Sequence, residues 1–394
     1  MQLITDDQRR ARLARRHALA EPVGSVAEVA KAMTCLHATE PASVHLAAFA
    51  RCGAAIDEID KALYDDRSVV RQLAMRRTVF AFPRELLPAV WGSAAARVAT
   101  QQRAQLARDV VKAGIANEGP GWVEATTSDV LSMLRERGPM TTMQLRAELP
   151  ALSERFTYAE GKKYGGETPI AARVLTTLAA SGAIVRGEND GGWKTSRPRW
   201  TATRDWVDIG PPLDEAEGYA ALVRSWLHTF GPGTEADIVW WLGATKTAVR
   251  RALADVDAVE VRLEHGTGWL LPDDLDDLDP VAPWAALLPA LDPTTMGWKQ
   301  RAFYLGDHAE RLFDTNGNAG PTAWWDGRIV GGWTQQTDGT VVVVPAEPLD
   351  RDATKVLDEQ AARLTDWLAG DVVKSIYQSP LARAAARASS SSST

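Results

Sequence analysis

The sequence predicts an α+β protein made of about three tandem winged-helix units followed by a small β barrel. Three observations predict it. A helix–helix–helix–hairpin order recurs along the chain, with turn residues punctuating each copy at like places. After an acidic stretch beginning at Asp273, the pattern changes to short strands with Asp-Gly turns. At 394 residues the chain is also too long for one ordinary core, and length alone suggests two or three domains.

The elements follow in order. Asp6 to Ala20 has helical patterning, with Asp6 and Asp7 as candidate N-caps. A second helix starts near Ser25, where Ser-Val-Ala-Glu has capping-box spacing and Val26, Val29 and Met33 fall on one face. Pro41 breaks the chain after Leu-His-Ala-Thr-Glu, and further helices follow through His45 to Ala50 and from Ile56 to Tyr64. Val69 to Phe82 then turns β-rich and stops at Pro83, which completes a first helices-plus-hairpin unit.

The second copy runs from a helix at Thr126–Arg137, ended by Gly138-Pro139, through a Thr-capped helix at Met143–Leu149 and a helix at Thr168–Ser181. It closes on a strand–turn–strand wing from Gly182 to Trp200. About 95 residues further on the order repeats: helix Tyr219–Phe230, Gly231-Pro232, a short helix, helix Thr245–Leu253, and a hairpin turning at His265-Gly266. That period is too long for a solenoid. Strands then flank Asp326-Gly327 and Asp338-Gly339, and a helix spans Asp352–Leu368. The expected boundaries are 1–120, 121–210 and 211–272 for the three units, 273–386 for the barrel-like domain, and 387–394 for a disordered Ser-rich tail.

Composition narrows the function classes. Apolar residues make up 45% and charged residues 24%, as in ordinary globular chains. No uncharged apolar run of about 18 residues is present, so no membrane span is expected. The N-terminus lacks the apolar core of a signal peptide, and two cysteines cannot make a disulfide framework, so a cytoplasmic protein is expected. Cys35 and Cys52 read as small core residues and His45 as a half-buried core histidine. The net charge of −7 argues against a non-specific nucleic-acid binder, although arginines crowd one end of the chain and aspartates crowd the linker. No metal, cofactor or acyl-transfer motif is present, and the Gly-rich stretch at 187–192 lacks the order of a phosphate loop. With no heptad seam, a monomer is expected. The 15 tryptophans read mainly as core, because most have apolar neighbours, as at Trp240-Trp241 and Trp324-Trp325.

The Arg-rich first helix, the Ala-Met-Arg-Arg-Thr hairpin at 74–78, the stretch from Gly231 to Gly243 ending Val-Trp-Trp-Leu-Gly, and the β segments from Leu287 to Trp333 together resemble the AlkZ/YcaQ-type family of winged-helix DNA glycosylases. The resemblance spans roughly residues 1 to 380. It implies a concave surface that grips double-stranded DNA, damaged or not, and hydrolysis of the N-glycosidic bond of alkylated purines in repair or crosslink unhooking. The family's reactive Gln-apolar-Gln or Gln-apolar-Asp element falls here on His37-Ala38-Thr39, a departure at both functional positions.

On their own chemistry, His37, with an ordinary pKa near 6.5, can accept a proton from water, and Thr39 can hold that water through its hydroxyl. Glu40 is the nearest carboxylate, turned about 100° away if the segment is helical. Against this stands a packing reading in which His37 and Thr39 cap a helix end.

For DNA contact, Arg9, Arg12 and Arg16 share a helical stripe, Arg76 and Arg77 sit on the first hairpin, Lys162, Lys163 and Arg173 lie at the second unit's third helix, and Arg186, Lys194, Arg197 and Arg199 decorate its wing. Each basic group could equally be a solvated face. Trp193 and Trp200 could wedge bases or simply fill the wing's core. Two other functions compete: a non-catalytic winged-helix DNA-binding protein or regulator, and a module that binds a partner protein.

Overall fold

The computed structural model describes residues 1–158, 161, 165–276 and 281–391. The chain folds into two compact units. One joins Met1–Asp60 to Ala220–Thr394, and the other is Lys61–Tyr219. The serial boundaries expected from the repeats do not anticipate the first pairing. Its cause is a strand: Leu3–Ile4 pairs in parallel with Val259–Leu263, which pairs antiparallel with Gly266–Leu270. Backbone hydrogen bonds far apart in sequence thus bind the opening residues to the Val259–Leu270 hairpin.

In the Met1–Asp60/Ala220–Thr394 unit, helix Asp6–Arg16 starts at a reciprocal Thr5–Gln8 capping box, and helix Glu235–Leu242 at a second one, Thr234–Asp237. Helix Lys246–Asp255 is capped by Thr245. The expected barrel is instead an open four-stranded antiparallel sheet in the order Ala285–Leu288, Thr322–Trp325, Arg328–Gln335, Val341–Pro345. Its outer strands do not pair, and four strands are too few to close around a filled interior. Helices Arg351–Leu368 and Pro380–Ser391 pack on the sheet. The second of these runs into the stretch expected to be a disordered tail. At the Asp326-Gly327 turn both residues have positive φ (45° and 79°), as a two-residue hairpin loop following right-handed strand twist requires.

The tryptophans here behave as core. Trp226, Trp298 and Trp324 are fully buried, and Trp298 meets Phe230 and Phe303 edge-on at 5.1 Å. Beside them lies a buried polar network. Arg51 makes a bidentate pair with Asp292 (2.9 and 2.7 Å) and also donates to the His17 carbonyl and the Thr294 hydroxyl. Both members of the ion pair are buried, so the added hydrogen bonds are what offset their desolvation. Burial and the nearby Arg51 charge push the His17 imidazole down to about 3. Cys35 is buried, and His45 is fully buried, with its ring nitrogens on the Pro41 carbonyl and Asp60.

The Lys61–Tyr219 unit contains the hairpin Val69–Leu73/Val79–Pro83 and the helices Ala94–Lys112 and Gly119–Arg137. It continues with helix Thr142–Glu148, capped by a Thr141–Gln144 box, helix Ala171–Ala180, and the hairpin Ile184–Asn189/Pro198–Ala202. The long helix Ala94–Lys112 and a hairpin Arg155–Tyr158/Gly166–Pro169 were not foreseen. The latter takes Thr168 into a strand, so the expected 168–181 helix begins only at Ala171. Trp193 and Trp200 are buried, and the Trp200 indole N–H donates to Thr142, so both pack inside the unit.

Candidate functional site

The His37-Ala38-Thr39 segment begins on the second residue of the strand Leu36–His37 and ends before helix Pro41–Cys52. It is held from both sides. Upstream, Thr34 takes the left-handed conformation (φ 62°), a costly state for a β-branched residue. Its hydroxyl bonds Ser225 (3.0 Å) and Thr229 (2.9 Å), and Thr229 in turn donates to the Ala32 carbonyl. Downstream, the Glu40 carboxylate accepts from the Ser375 hydroxyl (2.9 and 3.1 Å) and the Ile376 amide (2.6 Å). Gln335 ties the same carboxy-terminal segment through the Val373 amide and the Asp371 carbonyl. Five residues, Cys35 to Thr39, therefore span two fixed points, and Pro41 starts a twelve-residue helix directly after the second of them, Glu40.

His37, Thr39 and Glu40 are all half-buried. The Thr39 amide donates to His37 Nδ1 over a long 3.4 Å. In the neutral ring that bond leaves the proton on Nε2, so Nδ1 carries the basic lone pair. The structure alters the expectation for Glu40. Its carboxylate is turned to Ser375 and Ile376, as an anchor of the chain, and is not directed at the motif. Burial raises its pKa, while the hydrogen bonds from Ile376 and Ser375 act the other way. It borders a cavity of about 80 Å³ that Gln335 and Ser375 also line.

The basic stripe of the first helix exists as expected but faces inward. Arg9 lies over the Phe303 ring at 3.6 Å and pairs with Asp6, and burial lowers its pKa. Arg12 donates to the carbonyls of Gln8, Asp274 and Asp276. Arg16 bonds the Gly231 carbonyl and pairs with Asp274, and burial pushes it down to about 10. Arg12 and Arg16 hold the acidic stretch after the Val259–Leu263/Gly266–Leu270 hairpin while Arg9 faces Asp6 and Phe303, so none of the three is an exposed phosphate contact.

In the Lys61–Tyr219 unit the first hairpin does present its cations. Arg76 and Arg77 are exposed at the tip and both have positive φ (55° and 59°). Two consecutive non-glycine residues in that region store strain, which the Ala74–Thr78 hydrogen bond (2.9 Å) holds in place. Lys194 and Arg197 are exposed between strands Ile184–Asn189 and Pro198–Ala202, and Arg199 is partly exposed beside Asp190 at 3.7 Å. Two candidates fall away. Arg186 lies over the Trp200 ring at 5.3 Å and is pushed by burial to about 10, and Arg173 is drawn 3.6 Å from Asp109 against the Phe156 ring. Lys162 and Lys163 lie outside the described residues.

A model of the family described as DNA glycosylase AlkZ-like matches residues 30–367. The chain belongs to the AlkZ-like DNA glycosylase family. The matched stretch contains the anchored His37–Thr39 segment and both cation-bearing hairpins. The solved structure of Streptomyces sahachiroi DNA glycosylase AlkZ aligns with a TM-score of 0.71 at 20% identity, covering 94% of this chain and 97% of that chain. At that identity the likeness speaks for the fold. Among curated proteins no sequence matches. Among the described residues no helix is long and apolar enough to cross a membrane.

The anchors themselves escaped sequence reasoning. Glu40 meets Ser375 across 335 positions, and nothing local marks Thr34 for a left-handed turn. The doublet of arginines followed by Thr in a hairpin was the one legible signal for the exposed tip.

Proposed function

We propose that this member of the AlkZ-like family binds duplex DNA and hydrolyses the N-glycosidic bond of an alkylated purine at the His37-Ala38-Thr39 segment. An N7- or N3-alkylated purine is already cationic, so it needs no acid to leave. The C1′–N9 electron pair departs with the base, which leaves neutral. Water forms the new C1′–O bond and gives its proton to His37 Nδ1. The Thr39 amide bond to that nitrogen is long, so a water can replace it at small cost. The Thr39 hydroxyl orients the water, and the amino end of helix Pro41–Cys52 supplies a favourable field for hydroxide character. Glu40 acts only by fixing the segment. The exposed Arg76, Arg77, Lys194 and Arg197 would meet phosphates, with the three helix–helix–helix–hairpin units serving as winged helices.

The observation that carries this reading is the double anchoring, at strained Thr34 and at Glu40, of a short stretch within the family-matched region that leaves His37 and Thr39 half-buried on either side of buried Ala38. The test is release of free N7-methylguanine from alkylated duplex DNA. Wild type should release it, and His37→Ala should abolish release while binding persists. A second reading, a DNA-binding protein that has lost catalysis, draws on the same Thr39–His37 bond and on a carboxylate turned aside. Salt-sensitive binding without base release by either protein would decide for it.

A further inference from the structure

The Lys61–Tyr219 unit contains a second feature, unrelated to the motif: a cavity of about 700 Å³, within the size range of small-molecule sites. Its walls are the carboxy-terminal turn of helix Ala171–Ala180, the face of helix Gly119–Arg137 near Arg135, and the irregular segment after Trp206. Leu131, Val207 and Ile209 make much of the lining apolar, and Trp91 adds an aromatic face.

The polar groups here are unbalanced. The Trp91 indole N–H, which can only donate, is buried with no hydrogen-bond partner among the described residues. The Thr203 hydroxyl is in the same state, on a residue only 6% exposed whose own amide is already taken by the Ala183 carbonyl. Buried donors without acceptors are uncommon and ask for a reason. Gly182 is part of that reason. An added Cβ there would come within 2.7 Å of Trp91 Nε1, so only glycine, at φ 72°, leaves the N–H edge uncrowded. At the mouth stand Arg135 and Arg204, both exposed, and neither is ion-paired among the described residues. Asp208 is the one acidic residue of the lining.

We propose that this cavity binds a small aromatic organic anion, with the ring system packed on Trp91 and the apolar wall and the anionic group held by Arg135 and Arg204. Two exposed guanidiniums line one apolar hollow with the Trp91 ring, and a molecule that is flat, apolar and anionic suits both features together. Neither the double anchor of the motif nor its chemistry enters the argument, so this site stands or falls independently of glycosylase activity.

The probe is anilinonaphthalene sulfonate, titrated by fluorescence against the full chain, with the uncharged phenyl-naphthylamine as control. The sulfonate should bind saturably and draw energy from the tryptophans. Arg135→Gln/Arg204→Gln, at exposed positions that leave folding intact, should weaken it roughly tenfold or more, as loss of charge-assisted hydrogen bonds implies. The uncharged dye should be insensitive to the arginine pair. Equal sulfonate binding by wild type and the double variant, or no saturable binding, overturns the proposal. So does displacement of the dye by duplex DNA, which would make the hollow part of a nucleic-acid surface.

Discussion

Acidification should reveal the buried imidazole of His17. Its Nε2 must donate to the Thr229 carbonyl (3.1 Å), because a carbonyl can only accept. Nδ1 therefore accepts from the Thr294 hydroxyl (2.9 Å), which itself accepts from Arg51. The ring also stacks on Trp298 at 5.8 Å. Protonation would put a second positive charge beside Arg51 in a fully buried site, and the ring's pKa is pushed down to about 3. In the unfolded chain it returns to about 6.5.

A depressed folded value means the stabilisation is fully present above pH 6.5 and is lost as pH falls from there toward about 3. At pH 5 the unfolded ring holds nearly one proton and the folded ring nearly none, a slope of about 1.3 kcal/mol per pH unit. Integrated from pH 7 to pH 5, the loss is about 1.9 kcal/mol. Urea unfolding of wild type and His17→Gln, followed by tryptophan fluorescence at both pH values, isolates this contribution from every other titrating group. The gap between the two proteins should narrow by about 1.9 kcal/mol on acidification. A change below about 0.5 kcal/mol, the ordinary error of additivity, would show that the ring is not held neutral, and the account of the network would fail.

Two further predictions separate surface cations from buried ones and test the anchor. Replacing Arg77 with Ala should lower the slope of log affinity for duplex DNA against log salt by about 0.9, the contribution of one phosphate contact, and should leave stability unchanged or slightly raised. Arg12→Ala should leave that slope alone and destabilise the fold by about 2 kcal/mol, since three carbonyls lose a shared donor. The opposite pattern would mean that the stripe on the first helix reaches DNA after all. Glu40→Gln should speed amide exchange at Ile376 and Tyr377, corresponding to about 1–2 kcal/mol of lost local protection, and slow base release without changing DNA affinity. Unchanged exchange at those two amides would remove Glu40 from the anchor.

The family's architecture was legible because its signals are local. Thr141 with Gln144 and Thr234 with Asp237 mark helix starts by hydrogen bonds that close within three residues. Asp326-Gly327 marks a hairpin by its backbone preferences alone. The spacing between the Gly-Pro breaks likewise displays the repeat. The candidate segment could be located by resemblance, but its surroundings could not, since Glu40 is restrained by Ser375 and Thr34 by Ser225 and Thr229.

Helical periodicity put Arg9, Arg12 and Arg16 on one face, and it could say no more than that. Whether that face meets water or protein depends on what Leu3–Ile4 pairs with, and the answer lies more than 250 positions away, where Asp274 and Phe303 wait. The same holds for the last four strands. Alternation and turns specify a meander, but whether it closes depends on the helices that come to lie on it. Phase along an element follows from neighbouring residues, because it is set by backbone geometry. Burial and pairing follow from contacts across the chain, because they are set by which distant surfaces exclude water together.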